Sequence, residues 1–213
     1  PSQSSSLSVS TAASGGTGPY SYQWYVSYNG GSYSAISSTT YPSAATDAFV
    51  FYAGTNATGT YSFELYVTDS ASSPVTVQSN AVTVTVNPAL TASISPSSWT
   101  MDVGQTEVFT STTTGGTGSY TYSWTIGGST TVVSTTNSYS YAATATSPSK
   151  VVLWLNVTDS ATSKVTSEAS ATITVSSALT APTITASASS LDLGQTPSQS
   201  SSLSVSTAAS GGT

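Results

Sequence analysis

Hydrophobic and polar residues alternate one for one along much of this chain. Tyr20, Tyr22, Trp24 and Val26 fall on one parity, and Ser21, Gln23 and Tyr25 on the other. Tyr120, Tyr122, Trp124 and Ile126 repeat the pattern further on. Tyr61, Phe63, Leu65 and Val67 alternate likewise, as do Val151, Leu153, Leu155 and Val157. Two shorter runs follow the same rule: Val82, Val84, Val86 and Ala171, Ile173, Val175. Successive side chains of a strand point to opposite faces, so each run predicts a strand with one buried face. Trp24, Tyr61, Phe63, Trp124 and Leu153 are the expected core. Gly15–Gly18 and Gly115–Gly118 mark turns ahead of the two Trp strands. No segment carries a convincing 3.6-residue apolar period. Short alternating strands between regular turn signals predict an all-β fold of β-sandwiches.

The chain also repeats itself, on two scales. PSQSSSLSVSTAASGGT occupies Pro1–Thr17 and again Pro197–Thr213, a period of 196 residues. Inside that period GGTGPYSYQWYV (Gly15–Val26) echoes GGTGSYTYSWTI (Gly115–Ile126). LYVTDSASSPVT (Leu65–Thr76) echoes LNVTDSATSKVT (Leu155–Thr166), and MDVGQT (Met101–Thr106) echoes LDLGQT (Leu191–Thr196). Self-similarity of this kind predicts serial units of one plan. The expected organisation is two sandwiches per 196-residue repeat. Residues 1–88 form a domain lacking its first strand, 89–178 a second domain, and 179–213 the first strands of the next repeat's domain. Thr91–Thr106 reads as a first strand, a turn and the entry to the next strand. Its counterpart is Thr183–Thr196, which makes Thr183, Ile184, Leu191 and Leu193 the candidate inter-unit strand. Two arrangements fit. The chain is one window on a longer tandem array, or the C-terminal strand of one chain completes the N-terminal domain of the next. In either case the two chain ends are expected to be points of hand-over between units, and a start at Pro1 suggests an excised piece.

GGTGxYxYxW followed by LxVTDSA resembles the polycystic-kidney-disease-type (PKD) and related immunoglobulin-like repeats of archaeal and bacterial surface proteins. The resemblance covers nearly the whole chain, twice. It implies tandem immunoglobulin-like sandwiches that act as spacers and adhesive units. It implies that Trp24 and Trp124 are the buried tryptophans of the third strand. It also implies that Gly59–Tyr61 approaches a tyrosine corner, with Phe63 where antibody domains carry a cysteine. In the second domain Val151 stands at the tyrosine position.

Composition narrows the chemistry. Serine and threonine make up 87 of 213 residues, and charged residues 5%. Thirteen Tyr and four Trp, with dense Val and Thr, favour a folded β protein over a disordered stalk. The net charge is −6, and Lys150 and Lys164 are the only basic residues. A groove that tracks phosphates needs clustered Lys and Arg, so no nucleic-acid partner is expected. With no His and no Cys there is no imidazole or thiolate metal site and no disulfide. No apolar run is long enough to span a membrane. The eight acids are scattered without close pairs, so catalysis is not expected, nor any cofactor. Asp69 and Asp159, in equivalent VTDSA segments, read as turn residues, with a Ca²⁺ ligand as the alternative. A lysine crosslink through Lys150 is not a general device here, because the first domain has no lysine.

Two sequons, Asn56-Ala57-Thr58 and Asn156-Val157-Thr158, make Asn56 and Asn156 candidate N-glycosylation sites. Tyr25, Tyr66 and Trp154 lie on outward parity and form a candidate contact surface. The expected function is structural. The chain is a subunit of an extracellular, cell-surface filament, stalk or adhesin, partnered by copies of itself head to tail, by attached glycans and by laterally bundled neighbours. The alternative is a carbohydrate-binding or adhesive surface module, which an outward coplanar row of aromatics would favour.

Overall fold

The structure is a computed structural model of the chain and describes residues 3–9, 12–187, 189–191 and 200–212. Leu193, one of the inter-unit candidates, lies outside the described residues. The fold is all-β, built as immunoglobulin-like sandwiches, and the chain divides into units Pro1–Ala89 and Leu90–Thr213.

The first unit contains β1 (Ser4–Ser8), β2 (Ser21–Tyr28), β3 (Ser34–Ala35), β4 (Ala48–Tyr52), β5 (Gly59–Thr68), β6 (Thr76–Gln78) and β7 (Val82–Val86). β2 pairs along its length with β5, β3 adds to β2, and β6 and β7 pair with successive halves of β5. The facing sheet is a β1–β4 pair. Between them lie Leu7, Trp24, Phe49, Phe51, Tyr61, Phe63, Leu65 and Val67. These are the apolar parities of the alternating segments, so burial follows directly from the period of two. The Trp24 indole N–H donates to the Thr46 carbonyl (2.9 Å), which satisfies its one polar atom inside an apolar site. The Tyr61 hydroxyl donates to the carbonyl of Ala57, four residues upstream (2.8 Å), the bond that defines a tyrosine corner.

The second unit contains β8 (Thr91–Ser95), β9 (Ser98–Asp102), β10 (Thr106–Thr114), β11 (Thr121–Ile126), β12 (Ser138–Ala142), β13 (Lys150–Thr158) and β14 (Thr166–Ser176). One sheet is β12–β10–β8 and the other β11–β13–β14–β9. Trp124, Leu153, Leu155, Ile173, Met101 and Phe109 fill the space between. The Trp124 indole donates to the Thr136 carbonyl (2.8 Å) as Trp24 does to Thr46.

One element differs from the sequence reading. Thr91–Thr106 is not a single strand, a turn and an entry. β8 pairs antiparallel with β10, then the chain crosses at Pro96 and β9 runs parallel to the end of β14. Alternation marks a strand's faces but not which edge it joins. β9's partner lies 74 residues downstream (Ser98 opposite Thr172), beyond the reach of a local pattern.

β15 (Thr183–Ala186) and β16 (Leu203–Thr207) form an antiparallel pair in a sheet of their own. Among the described residues this pair falls within the Leu90–Thr213 unit. A Thr180–Ser210 bridge and a bond from Gly212 N–H to the Ser177 carbonyl close the base of this hairpin. Two strands alone bury too little to make a core. Ile184, Leu203 and Val205 are accordingly exposed.

A candidate strand-accepting groove

Cross-strand pairs align the two units residue by residue. Leu7 faces Phe49 as Phe109 faces Tyr139, Phe63 faces Val82 as Leu153 faces Ala171, and Tyr61 faces Val84 as Val151 faces Ile173. The aromatic contact repeats as well. Trp24 and Phe49 have ring centroids 6.0 Å apart at 32°, and Trp124 and Tyr139 6.4 Å apart at 32°. Even the bond from Ala53 N–H to the Gln3 carbonyl (2.9 Å) has its twin, from Ala143 N–H to the Gln105 carbonyl (2.9 Å).

That alignment isolates one difference. In the second unit β8 covers the far edge of β10 and packs on β14, while β9 brings Met101 against the end of β14. Ile94 and Met101 are buried there, with Ala171, Ile173 and Val175. Among the described residues of the first unit β1 has one strand partner, β4. Val82, the counterpart of Ala171, is 39% exposed. A groove of about 530 Å³ opens between β1 and β7, lined by Leu7, Val9, Trp24, Phe63, Leu65 and Val82. A smaller one, about 90 Å³, continues toward Phe51, Val84 and Val86. These lie where β8 and β9 sit in the second unit. The sequence reading placed Trp24 and Phe63 in the core but missed Leu7, Val9 and Val82 as a binding surface. The available signal was the identity of Leu7–Val9 with Leu203–Val205.

The other candidates are placed as follows. Asp69 and Asp159 are loop staples. Oδ1 of Asp69 accepts from Val75 N–H (2.8 Å) and Oδ2 from Thr17 N–H (3.2 Å); Asp159 accepts from Val165 (2.8 Å) and Thr117 (3.1 Å). These backbone bonds, to Val75 or Val165 first, hold both carboxyls below the ordinary aspartate value. Gly16 and Gly116 run alongside, both at φ +65°, and a Cβ on Gly16 would stand 2.8 Å from Asp69 Oδ2. Only glycine fits there. Among the described residues no three acidic side chains gather as a metal site.

Asn56 follows a 3₁₀ turn, Ala53–Thr55, and is half-buried; its side-chain amide donates to the Tyr52 carbonyl (2.6 Å). Asn156 is half-buried on β13 between Ser123 and Glu168, and its Oδ1 has no hydrogen-bond partner. Tyr25 and Tyr66 touch, with ring centroids 4.6 Å apart and planes at 50°, and both are half-buried. Trp154 is 40% exposed on β13. Thr183 and Ile184 are exposed in β15, and Leu191 is 49% exposed. No described helix is long and apolar enough to cross a membrane.

No family profile and no curated protein sequence matches this chain. Solved structures of Dscam, an immunoglobulin-domain cell adhesion molecule, are similar to it. The N-terminal four Ig domains of Dscam1 isoform 1.9 share 22% identity at a TM-score of 0.38, over 82% of this chain and 41% of that one. The N-terminal eight Ig domains of DSCAM isoform 1.30.30 share 19% at 0.39, over 85% of this chain and 25% of that one. The chain thus spans less than half the length of either.

Proposed function

We propose that this chain is a structural building block of an extracellular filament, stalk or adhesin, made of PKD-like immunoglobulin sandwiches repeated head to tail. The observation that carries the reading is the match between the open groove of the first unit and a segment elsewhere in the chain. Residues 181–191 have the sequence character of the strands that close the same place in the second unit. Units with separate cores in series behave as beads, and repetition sets the length. The role is mechanical rather than catalytic, in a chain without histidine or cysteine.

Residues 1–88 and 89–178 are the two beads of one repeat in this reading, and 179–213 begins the next. Asn56 and Asn156 carry glycans on a surface that has little charge of its own. Uncharged Ser and Thr faces let neighbouring filaments approach and bundle. Sugar binding as the main role is not favoured by the geometry. Tyr25 and Tyr66 pack at 50° to each other instead of lying coplanar, and Trp154 stands 40% exposed on a different strand, β13.

The test is the native material itself, imaged by electron microscopy and then weighed after denaturation. Threads that denature to one-repeat subunits, or to a single very large chain, support the reading and separate its two forms. Dispersed single beads with no assembly on the cell surface would refute it.

A further inference from the structure

We propose that the groove of the first unit is closed by residues Ala181–Leu191 of a second copy of this chain, with Thr183–Ala186 added antiparallel to the free edge of β1 in a definite register. The inference deepens the reading of a head-to-tail assembly and rests on it.

The register is read from this structure. Leu203–Val205 in β16 has the same sequence as Leu7–Val9, and the identity extends from Pro197–Thr213 to Pro1–Thr17. β16 already pairs with β15, Ala186 opposite Leu203, Thr185 opposite Ser204 and Ile184 opposite Val205. The same arrangement occurs inside the second unit, where Ser95 stands opposite Thr110 and Ile94 opposite Ser111. Ser204 corresponds to Ser8 by the long repeat, and Ser8 to Thr110 by the pairing of β1 with β4 and of β10 with β12. Two pairings, β15 with β16 and β8 with β10, therefore agree on one register. Carried onto β1, it sets Ala186 opposite Leu7, Thr185 opposite Ser8 and Ile184 opposite Val9.

The side chains then fall where they are needed. Ile184 takes the place that Ile94 holds in the second unit, beside Val82, Trp24 and Leu65 in the larger groove. Seven residues on, Leu191 takes the place of Met101, against Val84 and Val86 in the smaller one. Ile184 and Leu191 are 66% and 49% exposed in their own chain, so seating them removes apolar surface from both partners. β15 exchanges its ladder with β16 for the same ladder with the identical sequence in β1, so the gain lies in the apolar surface buried, and an exposed edge that would otherwise recruit any strand is matched to one sequence. Donor and acceptor are at different places on one chain, so each added copy presents a fresh groove and the contact propagates as a line.

The chain has no cysteine, so introduced thiols report the register cleanly. In the β15–β16 pair Thr185 Oγ1 lies 3.2 Å from Ser204 Oγ, which sets the distance expected between Thr185 of one copy and Ser8 of the next. Chains carrying Thr185→Cys are mixed with chains carrying Ser8→Cys under mild oxidation and run without reductant. The expected product is a covalent dimer, at least tenfold more abundant than with Ser6→Cys, which is two residues out of register. A second measurement needs no folding-sensitive variant. A synthetic peptide of residues 181–191 is titrated onto the unmodified chain, with suppression of its self-association as the readout. Equal crosslinking at Ser6 and Ser8, or no dimer at any position with no effect of the peptide, overturns the proposal. A chain carrying both Cys substitutions that closes only on itself at every concentration overturns the second copy as donor. If native threads persist while these tests fail, the donor is lost but the assembly stands; if no threads exist, the assembly reading falls first.

Discussion

Met101 and Leu191 occupy the same place in matching motifs, MDVGQT and LDLGQT, yet one is fully buried and the other half exposed. Truncating each to alanine separates packing from sequence. Met101 lies in the core cluster with Ile94, Phe109, Ile173 and Val175. Its removal forfeits the transfer energy of the side chain and leaves a cavity that neighbouring β14 cannot close. Buried Met→Ala changes cost ~2–5 kcal/mol, and complete burial between two sheets argues for about 3 kcal/mol here. For a sandwich of this size that lowers its unfolding temperature by roughly 12–24 °C. Leu191→Ala at low protein concentration costs less than ~0.5 kcal/mol, as an exposed substitution does. Differential scanning calorimetry on the whole chain reads both, because the two cores are separate and give separate transitions. Only the transition of the second unit should move with Met101→Ala. A shift under about 5 °C, or an equal shift from Leu191→Ala, would show that the matched motifs do not differ in packing as described.

Asp69 and Asp159 make stability depend on acid. Their folded pKa values lie below the unfolded aspartate value, so the carboxylates stabilise the fold at neutral pH, and that contribution is lost as pH falls below about 4. The double variant Asp69→Asn, Asp159→Asn should flatten the acid limb of a urea-midpoint-against-pH curve, and an unchanged limb would exclude the two residues as its source. Asp159→Ala alone should cost about 2 kcal/mol at pH 7, since two backbone N–H groups lose a charged acceptor; chemical denaturation measures it. Gly16→Ala should cost at least about 1 kcal/mol, from positive φ and the collision with Asp69, whereas alanine at open positions would not. If the chain forms the bundled filaments proposed, the bundles should survive roughly 1 M NaCl, because screening over a few ångströms weakens ionic contacts and spares apolar and hydrogen-bonded ones. Dispersal by salt in light scattering would mean that the lateral contacts are ionic.

Local alternation was enough to place most strands and their buried faces. Trp24, Phe63, Trp124 and Leu153 lie on the parity that every neighbouring residue of their strands predicts, and burial follows whatever the strand pairs with. The internal echoes were enough to show that the two units share a plan, since residues at matching positions must meet matching neighbours. Edges are another matter. Nothing within Ser98–Asp102 says that it will run parallel to β14, because that pairing depends on backbone groups far along the chain. Nothing within Val82–Val86 says that its apolar face will be half open. Val82 alternates like Ala171, and differs only in whether a strand from elsewhere lies over it. The same limit holds for Asp69, whose partners Thr17 and Val75 come together only when two loops meet. Side-chain parity is a property of a few consecutive residues, whereas the closing of a sheet edge is a property of two distant segments. That is why strands were legible in the chain as written, and the groove became visible only when two folded copies of one plan could be laid side by side.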